Sequence, residues 1–213
     1  MRIPPLTFRL TSGSGSPGNG SAAGAVPVIT SRRLAIRPAH PSDYPFLYSL
    51  ECHPQLRYRW SSDRHLPTFE MFVQRLSFDP ARQFVALDRE ARPIGWVEAY
   101  NEDPSQAFAW LGVFMQDDAQ GSGFGIEAIS LFIHYLFCFR PYRKLYAYVT
   151  EPSFSTFKSG AGRYFHVEGV LRDHEYYHGA LHDRIILAVY ASEWRDLMKR
   201  WGPRIGCSLE LSN

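Results

Sequence analysis

The sequence predicts an α+β fold, a mixed and mainly antiparallel central sheet with flanking helices. Three observations predict it. Short runs of alternating apolar and polar residues, bounded by turn-forming residues, recur along the chain as strands do. Between them lie stretches whose apolar residues recur at helical spacing. Finally, 45% of the 213 residues are hydrophobic and 15% aromatic, enough material for one packed core, so one large domain with appendages is expected.

The elements follow in order. Residues 11–24 read TSGSGSPGNGSAAG, with five Gly and four Ser in fourteen residues, a composition that cannot offset its ordering entropy. Residues 1–30 are therefore read as a flexible leader, 31–201 as the domain and 202–213 as a tail. In RRLAIRP, Leu34 and Ile36 alternate with polar neighbours and stop at Pro38, as a short strand would. Pro41-Ser42-Asp43 starts a helix whose apolar face is Tyr44, Phe46, Leu47 and Leu50. A second helix is expected from Pro67 to about Phe78, because Phe69, Phe72, Val73 and Leu76 share one face and an early proline loses no hydrogen bond.

Three strands then run as a meander, Gln83 to Leu87, Pro93 to Asn101 and Ala107 to Met115, with turn-rich breaks between them. The period next changes from two to 3.6: Ile126, Ile129, Phe132, Ile133, Leu136 and Phe137 mark a long buried helix ending before Pro141. Lys144 to Val149 reads as a strand and Ser153 to about Gly162 as a weak helix. His166 to Tyr177 and His182 to Tyr190 read as a hairpin turning at His178-Gly179, and Glu193 to Trp201 as a terminal helix.

Charge and cysteine content exclude several classes. Twenty-three basic residues against twenty-one acidic ones give a net charge of +2, too little for a nucleic-acid-binding stripe. Three scattered cysteines, Cys52, Cys138 and Cys207, make neither a disulfide framework nor a zinc cage and fit a reducing cytoplasm. No run approaches 18 apolar residues and no signal-peptide pattern is present, so no membrane association is expected. His174, His178 and His182 recur every four residues, but on a hairpin this spacing does not align ligands, and no metal is expected.

The stretch that carries chemistry is QGSGFGIEA, Gln120 to Ala128, between the strand ending near Met115 and the long helix. Gly121, Gly123 and Gly125 permit a tight turn that directs N–H groups toward one point, and the helix N-terminus behind them adds about half a positive charge. Such a loop suits a phosphate or pyrophosphate. It is neither a Walker A loop, since it has no lysine, nor a dinucleotide fingerprint, since its spacing is G-x-G-x-G after antiparallel strands.

Here the sequence resembles the GNAT superfamily of N-acetyltransferases, and within it the RimJ/RimL-type branch. The family signature, Gln/Arg-x-x-Gly-x-Gly/Ala at a strand-to-helix turn, is matched by Gln120, Gly123 and Gly125, continued by Glu127-Ala128. RRLAIRPAHPSDY resembles the family's opening strand and helix, FHVEGVLRDHEYYHGALHD its closing hairpin, and Ser192 to Trp194 its usual end. The resemblance implies two parallel strands that splay apart to hold the pantetheine arm of acetyl-CoA, the co-substrate. It implies cofactor contacts from Phe114, Met115, Gln120, Gly121, Ser122, Gly123, Phe124, Gly125, Ser153 and Thr156. Phe114 and Met115 are expected beside the thioester, with a backbone N–H stabilising the oxyanion.

An alkyl amine near pKa 10 must lose a proton before it attacks, so a base or a water relay is required. Glu98 leads, because it shares strand parity with Trp96 and Tyr100, and Glu168 on the closing hairpin is the second candidate. The tyrosine that protonates the departing thiolate in many members is replaced here by Gly160, and the usual asparagine by Ser153. Ser153, Thr156 or Tyr164 can supply a hydroxyl instead, or the thiolate leaves unassisted. His53, Tyr58 and Trp60 are expected at the acceptor cleft. The resulting expectation is acetyl transfer to a primary amine, of a small molecule or a protein N-terminus, by direct attack in a ternary complex. Its rival is an acyl-CoA-binding domain without turnover. The expected partner is the amine acceptor, with a homodimer as a permitted assembly.

Overall fold

The computed structural model describes residues 7–10, 27–31, 33–54, 66–78, 82–155, 158–177 and 179–205. Nine strands form one sheet among these residues: β1 Thr7–Leu10, β2 Pro27–Thr30, β3 Ala35–Pro38, β4 Gln83–Leu87, β5 Pro93–Asp103, β6 Phe108–Met115, β7 Lys144–Thr150, β8 His166–Tyr177 and β9 Ala180–Tyr190. Their spatial order is β1-β2-β3-β4-β5-β6-β7-β9-β8. Every neighbouring pair is antiparallel except β6 with β7, which run parallel. The helices are α1 Tyr44–Glu51, α2 Phe69–Phe78, α3 Phe124–Phe139, α4 Glu151–Phe154 and α5 Ala191–Ile205.

The sheet has a core on each face. Against one face, Leu131, Phe132 and Leu136 of α3 and Trp194 of α5 pack on Ile36, Phe84, Ala109, Leu111 and Leu145. Against the other, Leu47 and Leu50 of α1 and Phe72 and Leu76 of α2 pack on Val85, Trp96 and Phe114. The period-two alternation of β5 and β6 sorts their side chains between the two cores, so Trp96 and Val97 enter different clusters. A buried Asp43 joins the start of α1 to the sheet by accepting two hydrogen bonds from Arg37, at 2.6 and 2.9 Å.

Three expectations change. Strand structure begins before Ser31: β2 pairs with β3 and places Ile29, fully buried, in the core beneath α3. Val28 and Ile29 form too short an apolar run to stand out beside a glycine-rich tract; that tract, and residues 206–213 with Cys207, lie outside the described residues. The weak helix after β7 is a four-residue α4 followed by a separate 3-10 turn at Lys158–Gly160, since Pro152 favours the first turn of a helix and Gly160 ends the second segment. The terminal helix starts two residues early, at Ala191, and runs to Ile205.

Candidate active site

The cofactor loop is built from backbone. A 3-10 turn at Asp117–Ala119 leads from β6 into Gln120, whose side-chain amide donates to the Met115 carbonyl (3.3 Å) and to Asp117 Oδ1 (2.9 Å). Gly121 and Gly123 both take positive φ, 72° and 85°, a conformation that side chains with a Cβ resist. Gly123 is the N-cap of α3, so the N–H groups of Gly125 and Ile126 have no carbonyl one turn earlier and face out of the helix end. Ser122 Oγ accepts from the Phe124 N–H (3.3 Å) and donates to the Ala119 carbonyl (2.6 Å), closing the loop on itself. A Cβ on Gly125 would meet Met115 Cγ at 3.3 Å, so glycine lets α3 lie close against the end of β6. Helix-end amides beside glycines make a cradle whose donors suit a pyrophosphate.

Arg33 braces that loop, a role no sequence signal announced. Its Nε donates to Glu127 Oε2 (2.7 Å) and its Nη1 to the Ser122 carbonyl (3.0 Å), while its guanidinium lies 4.8 Å from the Phe124 ring centre. Glu127 is buried and also accepts from Ser31 Oγ. The Glu of the Gly-Phe-Gly-Ile-Glu-Ala run thus ties the first turn of α3 to the segment before β3, and its charge is neutralised by Arg33.

Beside the loop the sheet opens. The parallel pairing of β6 with β7 runs only from Phe108↔Lys144 to Leu111↔Ala147, after which β6 keeps β5 as partner and β7 keeps β9. Gln116 N–H donates to the Ile94 carbonyl (3.1 Å), and the register from Gly95↔Met115 to Tyr100↔Trp110 is unbroken. Antiparallel alternation therefore gives the Phe114 amide to the β5 ladder and turns those of Val113 and Met115 toward the gap. The expectation for Phe114 is corrected accordingly: its N–H is used by the sheet and its ring is buried on Trp96, at 5.4 Å between ring centres. With Gln120 holding the Met115 carbonyl, the N–H groups of Val113 and Met115 are donors that point into the gap, and that of Met115 lies nearer the cofactor loop.

Glu98 lies on the α1 and α2 face, only 7% exposed. Its neighbours in register are Gln83 on β4 and Gly112 on β6, and glycine puts no side chain beside the carboxyl. Burial pushes its pKa up to about 8; hydrogen bonding by Gln83 and the charge of Arg75 pull the other way, and Glu51 adds to the rise. Gln83 is itself held by Trp96, whose indole N–H donates to Oε1 (2.7 Å). Tyr100, next along the same face, has its hydroxyl pKa pushed to about 12 by burial and by Glu98.

The other expected residues are distributed as follows. Ser153 sits in α4 just past the open end of β7 and accepts from Thr150 Oγ1 (3.1 Å). Thr156 lies outside the described residues, as do Tyr58, Trp60 and His178. Tyr164 is half-buried beneath Arg163, whose guanidinium is 5.1 Å from its ring centre. A Cβ on Gly160 would meet the Phe165 ring at 2.9 Å and the Tyr164 ring at 3.3 Å, so these rings occupy the space that a tyrosine there would need.

Glu168 is engaged on both oxygens by Lys144 Nζ (3.0 Å each) and by the Tyr190 hydroxyl. Burial favours its neutral form, but those hydrogen bonds outweigh it and hold the carboxyl below its usual range, which makes Glu168 a structural ion pair and a poor base. His53 Nε2 is 3.3 Å from Asp117 Oδ2, linking the end of α1 to the cofactor loop. On the hairpin His182 stands opposite Glu175, next to His174, and among the described residues no cluster of metal-binding side chains forms.

A helix end over a glycine cradle, beside two parallel strands that part, defines an acyl-CoA-dependent transferase. A family model described as an acetyltransferase (GNAT) domain matches residues 33–152, more than half of the chain, and the protein belongs to that family, with acetyl-CoA as co-substrate. Among solved structures, spermidine N-acetyltransferase from Vibrio cholerae in complex with CoA and spermine is similar at a TM-score of 0.68 and 21% identity, over 76% of this chain and 98% of that one. Spermidine/spermine N-acetyltransferase from the same organism, in complex with manganese ions, gives 0.64 and 22%, over 78% and 96%. At such identities the likeness is one of fold. No curated protein matches the sequence.

Proposed function

We propose that this acetyltransferase is an N-acetyltransferase of the RimJ/RimL type, transferring acetyl from acetyl-CoA to a primary amine by direct attack in a ternary complex. Acetyl-CoA supplies an activated acyl group and a thiolate leaving group. Gly121 to Ile126 hold its pyrophosphate at the α3 N-terminus, and the parted strands offer their amides to its arm. The Met115 N–H stabilises negative charge developing on the thioester carbonyl oxygen. Glu98 takes the proton from the acceptor amine. Ser153 donates toward the departing sulfur, or the thiolate leaves unassisted, since a thiol pKa near 8.5 makes it a tolerable leaving group. The free thiols of Cys52 and Cys138 fit a reducing cytoplasm as the working compartment.

The observation that carries this reading is Glu98: a buried carboxyl whose pKa stands at about 8, on the sheet face beside the parted strands. Such a group is mostly protonated at pH 7 and becomes an efficient base as pH rises through 8. Replacing it by glutamine keeps size and packing but removes the basic lone pair. Glu98→Gln should lower turnover roughly 100-fold or more with acetyl-CoA affinity retained, and the defect should shrink at high pH, where more acceptor arrives neutral. Near-normal turnover of the variant from pH 6 to 9 would overturn the assignment.

A further inference from the structure

We infer that the acceptor is a single amine carried on an aromatic body, and not a polyamine. The inference deepens the proposed N-acetyltransferase reading and rests on it. The face of the sheet that carries Glu98 continues, beyond the cover of α1 and α2, into a row of rings. Register places Trp110 opposite Tyr100 on one side and opposite Tyr146 on the other. Trp110 stacks on Tyr146 at 4.7 Å and 22°, and on Tyr148 at 4.1 Å and 21°. The two tyrosines stand two residues apart on one strand face, so the indole is sandwiched between them. Both outer ring faces are covered as well: Lys144 Nζ lies 4.4 Å from the Tyr146 centre and the Arg184 guanidinium 4.2 Å from that of Tyr148. The result is a five-layer stack, cation, ring, ring, ring, cation, standing beside the candidate base.

This arrangement selects by what it leaves accessible. Cations are attracted to ring faces, and here the protein's own Lys144 and Arg184 occupy the outer pair while the inner faces are spent on stacking. The half-buried rings present their edges, which carry the positive end of the ring quadrupole. An edge repels an ammonium group and accepts the face of another aromatic ring. Three other carboxylates beside Glu98 are also committed: Glu51 to Arg75, Glu168 to Lys144 and Glu175 to Arg184. A chain of several ammonium groups would find few free anions here, whereas one amine on an aromatic body can lay its ring on the stack and its nitrogen toward Glu98.

The test is steady-state thiol release with 2-phenylethylamine, butylamine, spermidine and a short peptide beginning with phenylalanine, using wild type, Trp110→Ala and Trp110→Phe. Edge-to-face contact plus burial of a ring predicts kcat/KM for 2-phenylethylamine about tenfold above butylamine, with spermidine the poorest. Trp110→Ala should bring the ratio of 2-phenylethylamine to butylamine near one while acetyl-CoA affinity, the control for folding, is kept. Trp110→Phe should preserve most of the ratio and keeps the test open if the alanine variant fails to fold. Higher activity on the peptide than on the free amine would assign the aromatic body to a polypeptide N-terminus. Spermidine as the best acceptor, or a ratio indifferent to Trp110, would overturn the inference while leaving N-acetylation intact. Release with none of the four amines would instead overturn the N-acetyltransferase reading itself.

Discussion

The cofactor loop and the acceptor face are built from different materials. The loop uses main-chain amides, glycines at positive φ and a helix end, all contributed by nine consecutive residues, Gln120 to Ala128. The face proposed for the acceptor uses side chains from β4, β5, β6, β7 and β9, which only strand register brings together. A site made of backbone must spell its geometry in local sequence, because few residues other than glycine tolerate its dihedrals. One made of side chains can be assembled from residues far apart, and each can change alone. Substitutions in the loop should therefore act on acetyl-CoA whatever the acceptor, and those on the opposite face on acceptor and turnover.

The largest effect expected on that division is at Gly123. With φ at 85°, valine there must strain or rebuild the turn that aims the first amides of α3. Acetyl-CoA affinity should fall about 100-fold or more, since both loop shape and donors are disturbed. Calorimetry checks this directly, with circular dichroism confirming the fold. Unchanged affinity in a folded Gly123→Val protein would remove the loop from cofactor binding.

Arg33→Ala sharpens the comparison, because it reaches the loop from a distant segment. It leaves Glu127, nearly inaccessible, without its cation, and a buried charge stripped of its partner typically costs about 3 kcal/mol or more. Partial exposure of Arg33 lets water compensate, so a loss of about 2 kcal/mol is expected in chemical unfolding, with weaker acetyl-CoA binding. Arg33→Lys should recover the charge but not the paired contacts to Glu127 and the Ser122 carbonyl. An alanine variant with unaltered stability and affinity would show that the loop holds itself.

The same contrast explains what could be read from the sequence. Periodicity located β3 to β9, and the glycine pattern located the positive-φ turn that opens α3, because each is a local signal. Glu98 was reachable through parity with Trp96 and Tyr100 on one strand. The Arg33 to Glu127 brace was not, since 94 residues separate its ends. Nor was the choice of Met115 over Phe114 as gap-facing amide, which depends on how β6 registers with β5. The stack did leave a trace, Trp110 in FAWLGVF and Tyr146 and Tyr148 in KLYAYVT at period two, but which strands are neighbours decides whether those rings meet.

Gly160 probes the boundary between the two regions. Placing a tyrosine there brings its Cβ to within 2.9 Å of the Phe165 ring. Overpacking of this kind typically costs about 1 to 3 kcal/mol. Gly160→Tyr should lower the melting temperature by several degrees and bring no gain in turnover, whereas a faster enzyme would mean that the hydroxyl reaches the departing sulfur.

The smallest effect concerns two buried titratable groups on opposite sides of the sheet. Burial raises the pKa of Glu98 to about 8 and lowers that of His134, on α3, to about 4. The signs oppose. The neutral carboxyl favours folding most below its unfolded pKa near 4.5, and that contribution is lost as pH climbs through 8. The neutral imidazole contributes fully above its unfolded pKa near 6.5, and its contribution is lost as pH falls toward 4. Between pH 7 and 5.5 the unfolded histidine takes up a proton that folded His134 refuses, which amounts to about 1 kcal/mol. His134→Gln should remove that opposing rise and so steepen the fall of stability from pH 5.5 to 7 by about 1 kcal/mol, with the change above pH 7 nearly unaltered, as chemical unfolding at pH 5.5, 7 and 8.5 will show. An identical curve for both proteins below pH 7 would mean that His134 is protonated in the folded state, with the thiol of Cys138, 3.7 Å from Nε2, as the polar neighbour to examine next.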